Sequence, residues 1–70
     1  MERQYVESSN ILSIGYDAEN LVLEIEFNSG GIYQYLDVPD YEYEALIYSD
    51  SKGRYFYQNI KESYQWEKVS

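Results

Sequence analysis

Hydrophobic and polar side chains alternate along two segments in the first half of the chain, with the two-residue period of strands that bury one face. The apolar positions are Leu12, Ile14 and Tyr16 in the first segment and Leu21, Leu23, Ile25 and Phe27 in the second. Glu24 and Glu26 occupy the alternate positions of the second segment, so we expect both carboxylates to face solvent.

A third alternating segment spans residues 32–37, with tyrosines at two positions of one face and mixed residues on the other. This pattern leaves open which face points inward. Asn28–Gly31 separates it from the preceding strand, and its two glycines suit a tight hairpin turn. Short turns between all three segments predict an antiparallel meander.

Two short helices are predicted to follow the sheet. Val38–Pro39 ends the third strand, because proline donates no ladder hydrogen bond and keeps the preceding residue extended. Asp40 and Ser51 are the predicted N-caps. The predicted buried positions are Tyr43, Leu46 and Ile47 in the first helix, and Phe56, Ile60 and Tyr64 in the second.

These elements predict an α+β fold in which a three-stranded antiparallel β-meander packs against two short helices. The 70 residues are expected to form a single domain over residues 1–70. Residues 1–9 fit either a frayed end or a short edge strand. The tail, residues 65–70, fits either a short C-terminal strand or an extended arm.

The chain contains no cysteine and no histidine. Their lack removes disulfides, ordinary zinc sites, thiolate chemistry and the usual nucleophilic triads. A Ser51–Lys52 dyad would need a buried lysine, whereas the start of a helix is solvated. We therefore expect a protein that is not an enzyme, with no catalytic residue, cofactor or metal site.

No apolar run approaches the roughly 20 residues that cross a membrane. The first residues lack the apolar core of a signal peptide. From this pattern we expect a cytoplasmic protein without a membrane partner.

The net charge of −8 is unevenly distributed along this acidic chain. Arg3 is the only cation among residues 1–51, against eleven acidic side chains, whereas residues 52–70 carry four cations and two acids. Duplex DNA-binding proteins present a broad basic face, and none is predicted here. A local anion site in the C-terminal third remains compatible with this distribution.

A set of short segments, in this order, resembles the KTSC domain over roughly residues 6–69. The segments are S-S-N-I at 8–11, S-I-G-Y-D at 13–17, L-E-I-E-F at 23–27, G-G-I-Y-Q-Y at 30–35, V-P at 38–39 and S-K-G-R-Y-F at 51–56. The family is named for its occurrence at the C-terminus of some lysyl-tRNA synthetases, and it also forms small bacterial and phage proteins. The resemblance implies no established activity, although its attachment to synthetases suggests a role related to RNA.

The S-K-G-R-Y-F segment is the predicted binding site, at the start of the second helix. Backbone N–H groups and the helix dipole favour an anion there, such as a nucleotide or RNA. The candidate ligand-binding residues are Ser51, Lys52, Gly53, Arg54, Tyr55 and Tyr57. In the alternative interpretation the serine only caps the helix, the glycine eases packing and the cations offset nearby carboxylates.

A protein–protein interaction module is the second functional hypothesis. Ten tyrosines, two phenylalanines and one tryptophan are more aromatic residues than so short a chain can bury, and exposed tyrosines such as Tyr41, Tyr48 and Tyr57 suit an interface. Such a module would use its tyrosines and its acidic surface. One form of this hypothesis is a phage protein that acts on a host component. A small core without disulfides also leads us to expect a homodimer.

Overall fold

The computed structural model describes all 70 residues as five strands and two helices. The elements are β1 (Arg3–Tyr5), β2 (Ile11–Asp17), β3 (Val22–Phe27), β4 (Ile32–Tyr35), α1 (Asp40–Tyr48), α2 (Lys52–Asn59) and β5 (Trp66–Lys68). The strands form one sheet in the order β1-β2-β3-β4-β5, and every neighbouring pair is antiparallel. Both helices lie in the connection between β4 and β5.

The α+β architecture with two short helices is confirmed, but the count of three strands is wrong. β1 adds to one edge, where Arg3 lies opposite Gly15, and β5 adds to the other, where Trp66 lies opposite Tyr35. Each extra strand has only three residues, too few to display an alternation in the sequence. Formation of a homodimer, through an edge strand or a helix face, stays a prediction.

One hydrophobic core lies between the inner face of the sheet and the two helices. Its buried side chains are Ile11, Ile14, Leu23, Ile25, Tyr35, Val38, Leu46, Phe56 and Ile60. Every one of β2, β3, β4, α1 and α2 supplies at least one of them. The helices are therefore fixed to the sheet by burial of apolar surface, worth roughly 1.5–3 kcal/mol for each large aliphatic side chain.

A β-bulge in β2 changes which residues reach this core. The pairing register with β3 shifts between Ile11 and Ser13, so the two-residue alternation is interrupted there. Ile11 is fully buried, whereas Leu12, which the alternation placed inward, lies outside the core cluster. Leu21, which the alternation also placed inward, is exposed. It lies in the turn before β3 and has a φ of 58°.

The register of β4 settles its orientation. Tyr33 lies opposite Ile25 on the inner face, and Tyr35 on the same face is buried. Gln34 lies opposite Glu24 on the outer face. The turn before β4 uses one glycine with positive φ, Gly30 at 112°.

The outer face of the sheet carries a hydrogen-bonded polar network, and the expectation that both of its glutamates are solvated is wrong for Glu24. Glu24 is only 7% exposed. Arg3 forms an ion pair with it and donates from Nε to Ser13 Oγ at 2.9 Å. Gln34 donates to Glu24 at 2.8 Å, and Ser13 donates to Glu26 at 2.9 Å. The short strand β1 therefore covers Glu24. The sequence of β1 does not reveal this covering.

Gly15 makes room for this covering strand. A Cβ atom at position 15 would lie 2.6 Å from the carbonyl oxygen of Glu2 and 2.8 Å from Cγ of Arg3. Both distances are shorter than any normal van der Waals contact between these atoms. Glycine thus lets the arginine side chain cross β2 on its way to β3.

The helix limits differ slightly from those expected. α1 begins at Asp40 with Pro39 at the N-cap position, so the assignment of Asp40 as the cap is one residue off. Ser51 is confirmed as the cap of α2. α2 ends at Asn59, where the Phe56 carbonyl accepts hydrogen bonds from the N–H groups of the next two residues, Ile60 and Lys61. Tyr64 therefore lies beyond the helix.

Candidate functional site

The start of α2 holds four of the six predicted site residues, which are Ser51, Lys52, Gly53 and Arg54. Ser51 Oγ accepts a hydrogen bond from the backbone N–H of Arg54 at 3.4 Å. Lys52 Nζ donates to the backbone carbonyl of Ser49 at 3.3 Å, at the end of α1. Arg54 is exposed and forms no ion pair. One of the two cations at this helix start is therefore already engaged by the protein.

Tyr55 points away from the helix start, towards α1. Its hydroxyl donates to one carboxylate oxygen of Glu42, and the Tyr64 hydroxyl donates to the other at 2.9 Å. The hydrogen bond to Glu42, with burial, raises the pKa of Tyr55 to about 12, and burial together with the same carboxylate raises the pKa of Tyr64 to about 12. Tyr55 thus joins the two helices and is not placed to contact a ligand bound with the others.

Gly53 and Tyr57 both line an open groove beside α2. At Gly53, a Cβ atom would lie 3.4 Å from Nδ2 of Asn10 and 3.6 Å from Oγ of Ser8. The glycine therefore allows the helix to approach the loop before β2 closely, which supports the packing interpretation of this residue.

This groove, named the aromatic groove here, has a volume of about 940 Å³. The loop residues 9–11 and the hairpin residues 27–29 form one side, and α2 with residues 61–64 forms the other. Tyr33, Tyr35 and Trp66 contribute from the inner face of the sheet. The groove exists because α2 covers only part of that face.

Aromatic rings form a connected series along the groove. The ring centroid of Trp66 lies 5.5 Å from that of Tyr33, which lies 5.6 Å from that of Phe27. Phe27 in turn lies 5.4 Å from Phe56, and all three pairs have an edge-to-face arrangement. Trp66 is 55% exposed, so a large ring remains open to solvent at one end of the series.

Lys61 supplies a cation in the same groove. Its Nζ lies 4.5 Å from the ring centroid of Tyr57, which is 65% exposed. Arg3 takes part in both salt bridges of the structure. Lys61 and the other three cations of the C-terminal third therefore have no carboxylate partner.

The sequence pattern indicated Tyr57 but not Tyr33, Lys61 or Trp66. These residues come together because β5 pairs with β4 and brings the tail beside the inward tyrosines. The sequence left both the tail and the inward face of the third strand open. Of the two interpretations of the tail, only a strand paired with the third strand places Trp66 beside the tyrosines.

No group of three or more acidic side chains is placed to hold a metal ion. No helix has the length and apolar character needed to cross a membrane.

Comparisons with known proteins identify the module. A family model described as the KTSC domain matches residues 7–64. An uncharacterized protein of Stutzerimonas stutzeri is 46% identical over 61 residues, which cover 87% of this chain and 86% of the relative. The crystal structure of a KTSC domain protein of Yersinia pestis has a TM-score of 0.96 and 46% identity, covering 99% of this chain and 97% of that one.

A longer relative carries a similar sequence. A lysine–tRNA ligase of Nostoc sp. is 39% identical over 64 residues, which cover 91% of this chain but 11% of the ligase. Because this chain spans so small a part of the ligase, the activity of the ligase does not carry over to it.

Proposed function

The chain belongs to the KTSC domain family, and from this premise we propose that it is a non-enzymatic binding module that holds a flat, anionic ligand in the aromatic groove. The ligand chemistry is a nucleobase that carries phosphate, taken as a free nucleotide or as an unpaired base of RNA. The supporting observation is an unpaired lysine, Lys61, in the same groove as the exposed rings of Tyr57 and Trp66.

Stacking supplies most of the affinity in this proposal. Bases stack on exposed aromatic side chains with about 1–3 kcal/mol per base, with little dependence on sequence. Trp66 offers the largest open ring, and it packs against Tyr33 in an edge-to-face arrangement. A ring already held in place loses less side-chain entropy when the ligand binds.

The phosphate is assigned to Lys61. This lysine has no carboxylate partner, and Lys52 and Arg54 extend the positive charge to the other end of α2. One phosphate contact gives a logarithmic salt slope of roughly −0.7 for a single strand. The net charge of −8 disfavours many such contacts, so we expect a shallow slope and modest affinity.

The hydrogen bonds of the reactive groups support the non-enzymatic part of the proposal. Ser51 Oγ accepts a hydrogen bond as a helix cap, and Lys52 Nζ donates to the Ser49 carbonyl. Neither is placed to activate the other, as a nucleophilic dyad requires. The raised tyrosine pKa values also move Tyr55 and Tyr64 away from acid–base function near neutral pH.

The test uses Trp66 emission, since the chain has one tryptophan, together with ¹⁵N-resolved NMR. AMP, ribose 5-phosphate and a single-stranded ten-nucleotide RNA are titrated separately. We expect AMP or the RNA to quench Trp66 and to shift the amides of Tyr33, Tyr57 and Lys61. Tighter binding of the RNA than of AMP indicates an RNA site, and equal affinity indicates a nucleotide site.

Variants separate the groove from the helix start. Trp66→Ala should weaken binding at least about fivefold, because it removes the stacking surface. Binding to this variant is measured by NMR. Lys52→Ala/Arg54→Ala tests the anion site predicted from the sequence and should have the smaller effect. Tyr48→Ala, an exposed tyrosine outside the groove, is the matched control. An unchanged spectrum with millimolar AMP and RNA would refute the groove as a nucleobase site.

A further inference from the structure

The outward side of α1 carries two strongly exposed tyrosines. Tyr41 is 69% exposed and Tyr48 is 83% exposed. They are seven residues apart, so they lie on nearly the same side of the helix, about 10 Å apart along its axis. Glu44 and Ala45, both exposed, lie between them. These four residues are named the α1 tyrosine face.

Ala45 leaves a gap between the two rings. Ala45 carries only a methyl group, whereas the turns of the helix before and after it carry tyrosines on the same side. A cationic head group inserted midway would lie about 5 Å along the helix axis from the backbone position of each tyrosine, so that either ring can turn towards it for a cation–π contact. Glu44 would then lie beside the cation as a charge partner.

The segment of the chain that carries this face is acidic. Residues 37–50 contain five acidic side chains and no cation. None of these acids takes part in a salt bridge. Lys52, just beyond this segment, is already hydrogen-bonded at the end of α1. The face is thus complementary to a basic partner and repels phosphate.

We propose that the α1 tyrosine face binds a basic peptide segment of another protein, with an arginine or lysine side chain held between Tyr41 and Tyr48 above Ala45. Arginine fits this space better than lysine, because its planar guanidinium can stack on a ring while donating to Glu44. This surface does not depend on the aromatic groove, which lies beside the other helix.

The probe is a capped Gly-Arg-Gly-Arg-Gly peptide, followed by ¹⁵N-resolved NMR, with a matched peptide that has glutamine in place of arginine. We expect the arginine peptide to shift the amides of Tyr41, Glu44, Ala45 and Tyr48, and the glutamine peptide to shift none of them. Tyr41→Ala and Tyr48→Ala should each weaken binding about two- to fivefold, the effect of one exposed cation–π contact.

Ala45→Leu is the sharper variant. Leucine is a strong helix former, so α1 should remain folded while the side chain fills the gap. We expect binding of the arginine peptide to be lost and the far-UV circular dichroism to be unchanged. Tyr5→Ala, a similarly exposed tyrosine on β1 and outside both proposed sites, should bind like the unaltered protein.

Two results would overturn this inference. One is a set of shifts distributed over acidic residues in all elements, which indicates attraction to the net charge alone. The other is equal peptide affinity for Ala45→Leu and the unaltered protein. Neither result bears on AMP or RNA binding in the groove, so the two proposals can fail separately.

Discussion

Replacing Arg3 with alanine removes the guanidinium that spans the outer face of the sheet. Arg3 pairs with Glu24, donates to Ser13 and approaches Glu26 at 3.7 Å. Arg3→Ala therefore leaves Glu24 covered by β1 with Gln34 as its remaining hydrogen-bond donor. The free energy of unfolding should fall, because a buried carboxylate loses its counter-charge.

The size of the effect lies between two limits. Removal of one partner from a buried ion pair costs about 3–5 kcal/mol, whereas an exposed pair is worth about 0–1 kcal/mol. The Glu24 side chain is 9% exposed and that of Arg3 is 27% exposed. β1 can also fray and admit water, so we expect a loss of about 2 kcal/mol. That corresponds to a fall in Tm of roughly 8–16 °C for a domain of this size.

The dependence on pH identifies the cause. Burial raises the pKa of Glu24, but hydrogen bonds from Gln34 and Arg3 and the charge of Arg3 more than offset it, so the pKa is lowered. A lowered pKa contributes stability above the unfolded value of about 4.3, and this stability is lost as pH falls through the folded value. In Arg3→Ala, burial, the hydrogen bond from Gln34 and the charge of the N-terminus remain. The deficit of the variant should therefore be largest near pH 7 and should shrink below about pH 4.

Urea unfolding of both proteins at pH 7 and pH 3, followed by circular dichroism, measures this difference. Arg54→Ala is the matched control, because Arg54 is exposed and forms no ion pair. It should change the free energy of unfolding by less than about 0.5 kcal/mol. A deficit for Arg3→Ala below about 0.5 kcal/mol, or one of equal size at both pH values, would show that the ion pair contributes no stability.

Two further predictions concern the sheet and the helices. Gly15→Ala places a Cβ atom against the Glu2 backbone and Arg3. We therefore expect the free energy of unfolding in urea to fall by roughly 1–3 kcal/mol and amide exchange in β1 to be faster. Stability equal to that of the unaltered protein would contradict the close approach. Tyr55 and Tyr64, both with pKa about 12, contribute stability that is full below pH 10 and lost as pH rises towards 12. Tyr55→Phe/Tyr64→Phe should be less stable at pH 8 and should lose less on going to pH 11, and parallel losses in both proteins would refute the role of Glu42.

The three central strands could be predicted because each contains an alternating segment, and that of β3 is the clearest. β3 needed no information beyond Leu23, Ile25 and the polar residues between them. The bulge in β2 could not be predicted, since Ile11 and Leu12 are equally apolar and only the pairing with β3 distinguishes them. The edge strands gain their structure from tertiary pairing, which short segments do not encode locally.

The candidate site likewise has features that the local sequence predicts and features that depend on contacts between distant segments. The cap role of Ser51 is local, and the sequence indicated it correctly. The orientation of Tyr55 depends on Glu42, thirteen residues earlier, which no local pattern connects to it. Trp66 and Tyr33 meet only after both helices have returned the chain to the sheet. A site assembled from distant segments therefore remains hidden even when its individual residues are conspicuous.

The fold converts an uneven charge distribution along the chain into two chemically different surfaces. α1 lies in a segment with five acids and no cation, whereas α2 and β5 lie in the segment that holds four of the five cations. Arg3, the only cation among residues 1–51, forms salt bridges with Glu24 and Glu26 on the outer face of the sheet. Salt would weaken ligand binding at either surface, so a salt titration alone cannot tell which is used. Trp66→Ala and Ala45→Leu can, because each alters the shape of one surface and leaves its charge intact.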